Sequence, residues 1–417
     1  MMRSANKLSF NKYDWYIILI IGSLAFGKIG GAFQAIRLIS IFLLPFNIHA
    51  AILGRERFYF KNASLFAFCF FLYGLISLTW SVDYFNAKIE LVYIFLSMNI
   101  IYSLTRFAKR ANHTIESLIG GWSLFMLLTL PIAIWELTTS NHLYTLDHLS
   151  SRVESGRLLN GVIEKFAGAT FGNPNEYNTV ISFMLPYLFL NVLLCENNKQ
   201  YLFSVGLLLL TIIVPVINSS RGSILAICID AIIFLYFYYK RYGRRNKGLI
   251  YGTLCLVVSI AILYGNILFD QLIKRSDVVN ALEDDGRMSM VYRGLDLFID
   301  SNFWGIGPMG YSSTFLTGPH NLFAEFLIEY GLYIFLFACF VLSSILYRLY
   351  KLTQGTFFVY VPICFACTFP FISVINSDYL EYPSFWVAIG SLYVMYIGLL
   401  MRINTCLLYT SPSPRDG

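Results

Sequence analysis

The sequence predicts an all-α membrane protein with about twelve transmembrane helices, and three observations support that fold class. Of the 417 residues, 57% are apolar and the mean hydropathy is +0.63, which excludes an ordinary soluble globular chain. Runs of roughly 20 apolar residues recur from end to end, each long enough to cross a hydrocarbon core of about 30 Å. Charged residues are only 13% of the chain and gather between those runs.

Each predicted span is an apolar segment with polar residues on both sides. In chain order the twelve segments are residues 15–33, 37–53, 63–80, 88–104, 117–136, 177–195, 201–217, 222–239, 248–268, 321–346, 357–374 and 384–401. The second and fourth are short, so a count of eleven stays open. The chain then divides into spans one to five (1–136), a first large outer loop (137–176), spans six to nine (177–268), a second large outer loop (269–320) and spans ten to twelve (321–404).

Basic residues predict the orientation, because cytoplasmic segments of membrane proteins are enriched in lysine and arginine. With the N-terminus inside, clusters such as Arg106, Lys109 and Arg110 fall on the cytoplasmic side. The short outer loops hold only four basic residues, which are Lys28, Arg37, Lys88 and Arg221. We therefore expect both termini to be cytoplasmic. The net charge of +6 is a topology signal and does not indicate nucleic-acid binding.

Three further segments carry predictions. The first apolar segment is too long for a signal peptide and lacks a small-residue cleavage site, so we expect it to remain as a span. The second outer loop is expected to contain a short amphipathic helix, because apolar residues recur at helical spacing at Met290, Val291, Leu295 and Phe298. Residues 405–417 resemble translated adapter sequence and are expected to be a non-native tail.

His320 is the first candidate for chemistry, because it lies where the second outer loop meets the tenth predicted span. An imidazole can accept a proton from a hydroxyl near neutral pH, so its position at a membrane surface points to reactivity at the interface. The alternative is a histidine that only hydrogen-bonds at the start of a helix. Glu325 and Glu329 follow on the same helix, where they either orient the imidazole or an arginine, or act as structural partners.

Arg221 is the second candidate and lies in the tight outer turn Asn218-Ser-Ser-Arg-Gly-Ser223. Its guanidinium matches phosphate oxygens in a fork, which suits it to a diphosphate group. A snorkelling arginine that touches ordinary lipid phosphates is the alternative. At the start of the sixth span, Asn173-Pro-Asn175 reads either as a turn with a helix cap or as a place where a ligand approaches the backbone.

Taken together, these segments resemble the O-antigen ligase/O-antigen polymerase superfamily of bacterial envelope proteins. The resemblance covers about residues 157–335, and it rests on the order of the pieces and on their placement before particular spans. The pieces are Phe171-Gly-Asn-Pro-Asn175, Ser219-Ser-Arg-Gly222, Arg293 leading to Trp304-Gly-Ile-Gly307, His320-Asn321 and Glu329-Tyr-Gly331.

The resemblance implies a fold of the glycosyltransferase-C type, no cofactor and no metal. It implies catalytic roles for Arg221 and His320, and a contribution to the site from Arg293 and the loop around it. With Arg293, the candidate substrate-binding residues are Asn321, Asn173, Asn175 and Glu325. Ten residues separate Arg157 from Gly168, and the same spacing separates Arg275 from Gly286. This resembles a pattern in the outer loops of some polymerases, so Arg157 joins the candidate substrate-binding residues.

The implied donor is an oligosaccharide on undecaprenyl diphosphate, and the implied acceptor is either another glycan or lipid A core. The resemblance places the protein in the bacterial inner membrane with its active site facing the periplasm. Membrane lipids, chain-length regulators and export proteins are further candidate partners. Two other classes stay open from the residues alone: a flippase or other transporter for lipid-linked glycans, and a scaffold protein of a polysaccharide-export complex.

Overall fold

The computed structural model describes residues 9–53, 60–139, 141–143, 166–218, 220–242, 287–316 and 318–410. Within these ranges the chain is helical and forms no strand. The described α-helices are α1 (Lys12–Gly22), α2 (Ala35–Ile52), α3 (Lys61–Ser77), α4 (Tyr84–Ala108), α5 (Thr114–Thr139), α6 (Pro174–Leu194), α7 (Asn198–Ile217), α8 (Arg221–Tyr242), α9 (Arg287–Asp300), α10 (Gly310–Phe315), α11 (Leu322–Thr353), α12 (Tyr360–Ile372) and α13 (Pro383–Thr410).

The prediction of a multi-pass helical membrane protein is confirmed. Eight of the described helices are long and apolar enough to cross a membrane: α2, α4, α5, α6, α7, α8, α11 and α13. The helices α3 and α12 are apolar but shorter. The described residues therefore supply fewer full-length spans than the twelve predicted. One of the twelve, 248–268, lies outside the described residues, as does most of the predicted loop 137–176.

The first predicted span, 15–33, is not a continuous helix. α1 ends at Gly22, and short 3₁₀ turns follow it. Gly27 has φ +46° and lies against the backbone of Thr170, where an added Cβ would come 2.5 Å from the Thr170 carbonyl oxygen. The amide of Lys28 donates to that same oxygen at 2.8 Å. Hydropathy alone predicted a span here because it does not register a glycine that turns the chain.

α6 is the central helix, with 89% of its apolar window buried inside the protein. A helix that is apolar on all faces is expected to be surrounded in this way. Phe183 of α6 stacks on Phe365 of α12, with ring centroids 5.9 Å apart. The hydroxyl of Tyr177 donates to Thr129 of α5 at 3.0 Å, which satisfies a polar group in an apolar environment.

The predicted amphipathic helix in the second outer loop is confirmed as α9. Phe298 is 6% exposed and forms a small second core with Tyr311, Ala324 and Ile328. The other apolar residues of the predicted stripe, Met290, Val291 and Leu295, pack against that core. α9 therefore lies on the first turns of α11, close to the loop that carries His320.

α11 contains a kink at Gly331, where φ is +76° and ψ is 174°. In an unbroken helix the amide of Leu332 would donate to the carbonyl of Ile328. Here it donates to the carbonyl of Phe303 at 3.1 Å, and the amide of Ile306 donates to Ile328 instead at 2.9 Å. The kink thus exchanges helix hydrogen bonds for bonds to the preceding loop, which docks that loop on α11.

Replacing Gly331 with alanine is expected to destabilise the protein by about 1–3 kcal/mol, because a left-handed residue with a side chain is strained. An added Cβ would also overlap the carbonyl oxygen of Trp304, which the docked loop holds in place. Gly206 on α7 is the matched control, since a Cβ there meets nothing within 4 Å. Thermal unfolding in detergent should show a lower Tm for Gly331→Ala but not for Gly206→Ala; equal Tm values would contradict the strain argument.

Candidate functional site

The segments that carry Arg221, His320 and Glu325 pack against residues 373–382, which connect α12 to α13 and are called the α12–α13 turn here. The turn is held by its own hydrogen bonds. The Tyr379 hydroxyl donates to the carbonyl of Ile372 and accepts from the amides of Ile375 at 3.2 Å and Asn376 at 3.0 Å. Because Tyr379 is buried, this network makes the turn a rigid surface for the loops that pack on it.

The loop that carries His320 packs against the α12–α13 turn. Gly318 lies so close that an added Cβ would come 2.6 Å from Oδ1 of Asp378. His320 itself is half-buried and has φ +48°, a left-handed conformation that is uncommon for residues other than glycine. Two residues later, the amide of Leu322 donates to the carbonyl of Ser373 at 2.9 Å. Both ends of the His320 loop are therefore anchored on the turn.

Asn321 is the N-cap of α11. Its side-chain oxygen accepts hydrogen bonds from the amides of Phe323 at 3.0 Å and Ala324 at 3.2 Å. This capping satisfies backbone donors that would otherwise lack partners at the start of the helix. The structure thus gives Asn321 a local role in holding His320 at the helix start, and its predicted contact with substrate stays a prediction.

Glu325 lies beneath the α12–α13 turn and is only 2% exposed. Its Oε2 accepts from the amide of Tyr379 at 2.8 Å, and its Oε1 accepts from the amide of Leu380 at 2.9 Å. Both oxygens are therefore engaged with the backbone of the turn. Sequence reasoning placed Glu325 among the substrate-binding residues; in the structure it acts as a clamp that positions the turn relative to α11.

Glu329 lies one helical turn after Glu325 and likewise accepts from a backbone amide, but from one in the segment before α11. Its Oε1 accepts from the amide of Tyr311 at 3.1 Å, and its carbonyl accepts from Gly307 at 3.0 Å. The motif pieces around Gly307 and Glu329, which are distant in sequence, therefore meet in space. The loop around Gly307 thus packs directly on α11 at Glu329, next to the candidate site.

Three buried carboxylates, Glu90, Glu325 and Glu329, offer oxygen atoms that lie within 4.8 Å of one another. Carboxylate oxygens are ligands for hard cations such as Mg²⁺ and Ca²⁺. Several of these oxygens already accept hydrogen bonds, including Glu90 Oε1 from the hydroxyl of Tyr330 at 2.8 Å. The cluster joins α4 to α11 behind the site, and the expectation of a site that works without a metal or cofactor stays a prediction.

Arg221 is the first residue of α8 and is exposed. The adjacent Gly222 lies against the α12–α13 turn, where an added Cβ would come 2.7 Å from Cγ1 of Ile375 and from the carbonyl oxygen of Phe371. The N-terminus of α8 is thus placed on the same turn as the His320 loop. Because a helix N-terminus carries a partial positive charge, Arg221 and its helix together favour an anion at this position.

Asn173 and Asn175 lie at the start of α6. The Asn173 side chain caps the helix by accepting from the amide of Asn175 at 2.9 Å, and the Asn175 carbonyl accepts from Thr179 at 2.8 Å. The chain before this cap is tied to the turn before α8, since Asn218 exchanges two hydrogen bonds with the backbone of Ala167, at 2.7 and 2.9 Å. The capping reading of this motif is confirmed, and a role for the two asparagines in binding substrate stays a prediction.

Arg293 lies on the exposed side of α9. Burial raises the pKa of Tyr311, and the nearby positive charge of Arg293 opposes that rise. The Tyr311 hydroxyl donates to the carbonyl of Met290 at 2.7 Å, which ties α9 to α10. Arg293 is thereby carried on a helix packed against the start of α11. Arg157, the remaining predicted residue, lies outside the described residues.

Two more cations lie near the α12–α13 turn. The Lys28 ammonium is 3.5 Å from Oε2 of Glu176 and lies over the ring of Tyr382. Arg37, which the sequence placed at the edge of a loop, is 5% exposed inside the first turn of α2. Its guanidinium donates to the carbonyl of Glu381 at 3.1 Å. Both were visible in the sequence as basic residues on the predicted outer face, the same signal that identified Arg221.

Asp378 is a site residue that sequence reasoning missed. Its Oδ1 accepts from the hydroxyl of Ser312 at 2.7 Å, and it borders the His320 loop at Gly318. Burial raises the pKa of the Asp378 carboxyl, and the hydrogen bond from Ser312 partly opposes the rise. The sequence does show a carboxyl group between the last two predicted spans. However, the position of Asp378 in the sequence gives no indication that it lies near His320.

Replacing Asp378 with asparagine is expected to flatten the dependence of stability on pH. A raised pKa means that the folded protein binds this proton more tightly than the unfolded chain does, so ∂ΔG/∂pH is negative. The stabilisation is present at acid pH and is lost as pH rises from the unfolded pKa of about 3.9 towards the higher folded value.

The Tm of the wild type, measured from about pH 4 to about pH 8, should therefore fall more steeply than that of Asp378→Asn. Asp300→Asn is the matched control, because Asp300 is exposed at the end of α9. If Tm falls with pH as steeply in Asp378→Asn as in the wild type, Asp378 is not the group whose raised pKa causes the pH dependence.

Comparison with known proteins gives two matches. Residues 206–341 match the O-Antigen ligase family, a range that includes Arg221, Arg293, His320 and Glu325. The Teichuronic acid biosynthesis protein TuaE of Bacillus subtilis (strain 168) is 22% identical over 312 residues, covering 70% of this chain. The match spans 61% of that relative's length. The motifs, the helical membrane fold and these matches agree, and they confirm the resemblance of this membrane protein to the O-antigen ligase/polymerase-type family.

Proposed function

We propose that the protein is a glycosyltransferase that moves a glycan from an undecaprenyl-diphosphate carrier to an acceptor hydroxyl. The reaction takes place on the outer face of the bacterial inner membrane, with both termini in the cytoplasm. One observation carries the proposal: the His320 loop and the start of the Arg221 helix pack on the same α12–α13 turn. A base near the acceptor hydroxyl and a cation near the leaving diphosphate both favour glycosyl transfer, and this arrangement would bring the two together on one surface.

Arg221 and Arg293 stabilise the leaving group in this scheme. When the bond between the anomeric carbon and the diphosphate oxygen breaks, negative charge grows on the diphosphate. Fixed cations that are already in place at that moment lower the barrier, because they need no reorganisation. The exposed position of Arg221 at a helix N-terminus leaves its guanidinium accessible to a lipid-linked diphosphate.

His320 acts on the acceptor. The acceptor oxygen attacks the anomeric carbon from the face opposite the diphosphate, and its proton passes to the imidazole. A new glycosidic bond forms as the carrier diphosphate leaves, so a single displacement inverts the anomeric configuration. Glu325 does not touch the reacting atoms; it holds the α12–α13 turn against α11 and so positions the base relative to Arg221.

The acceptor decides between two activities that share this chemistry. Transfer to another lipid-linked repeat unit would be polymerisation, and transfer to lipid A core would be ligation. The relative named for teichuronic acid biosynthesis supports a role in making a surface polysaccharide. Chain-length regulators and export proteins are candidate partners in either case.

The test supplies the purified protein with undecaprenyl-diphosphate-linked oligosaccharide, with and without lipid A core, and sizes the products. A ladder of products on the lipid carrier is expected for a polymerase, and a product only on the core for a ligase. Absence of transfer to either acceptor by a folded protein would contradict the proposal and favour transport of the lipid-linked glycan.

A further inference from the structure

An apolar groove lies between α3 and α4, with α11 and α13 at its back. It encloses a cavity of about 490 Å³, within the range of roughly 300–1,000 Å³ typical of small-molecule sites. The wall is largely apolar, and its aromatic residues include Phe66, Phe326 and Trp386. At the rim, Phe68 is 65% exposed and Phe95 is 37% exposed. Exposed aromatic rings on apolar helices indicate that the groove opens towards the lipid.

The way α3 packs explains the groove. α3 leans on α11, where Phe70 meets Tyr330 with ring centroids 4.6 Å apart. Towards its C-terminal end it also meets α4, where Gly74 lies against Leu91 and Phe71 against Phe95 at 5.4 Å. The cavity lies between the two helices further along α4. The gap between α3 and α4 therefore opens beyond the contact of Gly74 with Leu91 and extends towards the C-terminal end of α4.

That end of the groove is cationic. Arg106 and Lys109 both line the cavity and are half-buried. The Arg106 guanidinium donates to the carbonyl of Phe46 and to Oδ1 of Asn47, each at 3.2 Å, which holds it at the end of the groove. The stretch of α4 from Phe95 to Lys109 is roughly 21 Å long. This exceeds the ~15 Å depth of one leaflet's hydrocarbon, so acyl chains fit along it.

We propose that this groove binds an anionic phospholipid of the leaflet in contact with the C-terminal end of α4, which the predicted topology makes cytoplasmic. The headgroup phosphate lies at Arg106 and Lys109, and the acyl chains lie along the apolar wall. Charge selects this occupant, because an uncharged hydrocarbon tail gains nothing from two cations at the mouth of the groove.

The glycan donor fits these cations less well. The proposed active-site loops lie near the opposite end of α4, where Ser81 donates to the carbonyl of Pro308 at 3.2 Å just before the helix starts. α4 has 25 residues and is therefore roughly 37 Å long. Arg106 lies 22 residues along α4 from Tyr84, roughly 33 Å by helical rise, so a phosphate at Arg106 lies at the end of α4 opposite the Pro308 loop. The phospholipid site therefore does not rest on the proposed activity.

The test measures retained lipid and thermal stability in detergent, with phosphatidylglycerol as the anionic probe and phosphatidylcholine as the neutral one. Wild-type protein should retain phosphatidylglycerol through native mass spectrometry and gain Tm when it is added, with little response to phosphatidylcholine. The double variant Arg106→Gln/Lys109→Gln should bind phosphatidylglycerol about tenfold more weakly. The control Arg348→Gln/Lys351→Gln removes the same charge at the end of α11, where both residues are exposed, and should bind as the wild type does.

A second variant, Ala67→Phe, fills the groove without changing charge. It should lose phosphatidylglycerol while the protein remains folded, as shown by an unchanged elution profile. Equal retention of the two phospholipids, or unchanged binding by the charge variant, would overturn the proposal. A further outcome is that a polyprenyl phosphate displaces phosphatidylglycerol equally well from the wild type and from Arg106→Gln/Lys109→Gln. That result would overturn the proposal too, and would assign the groove to the tail of the glycan carrier.

Discussion

Replacing His320 with alanine is expected to lower glycan transfer by about 10²–10⁴-fold, the usual contribution of a positioned general base. The expected effect is on the rate of the chemical step and not on binding of the donor, because the imidazole interacts with the acceptor proton. Single-turnover assays with lipid-linked oligosaccharide would measure it. Full activity in a correctly inserted variant would remove His320 from the mechanism.

The backbone at His320 calls for a second variant. Its φ of +48° makes alanine strained at this position, so a loss of activity in His320→Ala could reflect a displaced loop. Asparagine tolerates the left-handed conformation and cannot act as the base, so His320→Asn should be as inactive as His320→Ala but should keep the wild-type Tm. His49→Ala is the matched control, because His49 is exposed in the last turn of α2 and should be dispensable.

Replacing Arg221 with alanine is expected to lower transfer by about 10²–10³-fold, as the loss of one preorganised donor to a developing anion does in other enzymes. Lysine keeps the charge but loses the planar fork that matches two phosphate oxygens. Arg221→Lys should therefore recover only part of the activity. Transfer rates for the three proteins at one donor concentration, followed by titration of the donor, separate binding from catalysis.

Arg241 provides the control for Arg221. It lies in the last turn of the same helix, over the ring of Phe357, and its removal changes the net charge equally. Arg241→Ala should retain wild-type transfer. If both variants lose activity to the same degree, the effect comes from α8 or from overall charge, and the assignment of Arg221 to the diphosphate is wrong.

The transmembrane architecture was largely predictable from the sequence. Where the prediction differs from the structure, the difference has a physical cause. Apolar runs predicted most of the long helices, including the segment 117–136 that the structure extends to Thr114–Thr139. The segment 15–33 is not one continuous helix, because Gly27 turns the chain towards Thr170, a contact between residues far apart in sequence. The kink at Gly331 was also hidden, because the residues that stabilise it belong to the preceding loop.

The candidate site was predictable only in its individual parts. Arg221 was conspicuous as a cation on the predicted outer face, and His320 as an imidazole at a helix start. Glu325 was assigned to substrate, but in the structure both its oxygens accept from the amides of Tyr379 and Leu380. Asp378 was missed, since its proximity to Gly318 depends on the packing of two loops.

Composition and hydropathy establish that this chain is a helical membrane protein, and the order of short motifs indicates its resemblance to the O-antigen ligase/polymerase type. These features are local, because burial in a bilayer acts on each segment separately. The convergence of Arg221 and His320 on the α12–α13 turn, the clamp role of Glu325 and the groove between α3 and α4 appear only in the folded chain. They depend on backbone hydrogen bonds and packing between segments that lie tens to hundreds of residues apart, and no local pattern encodes such distances.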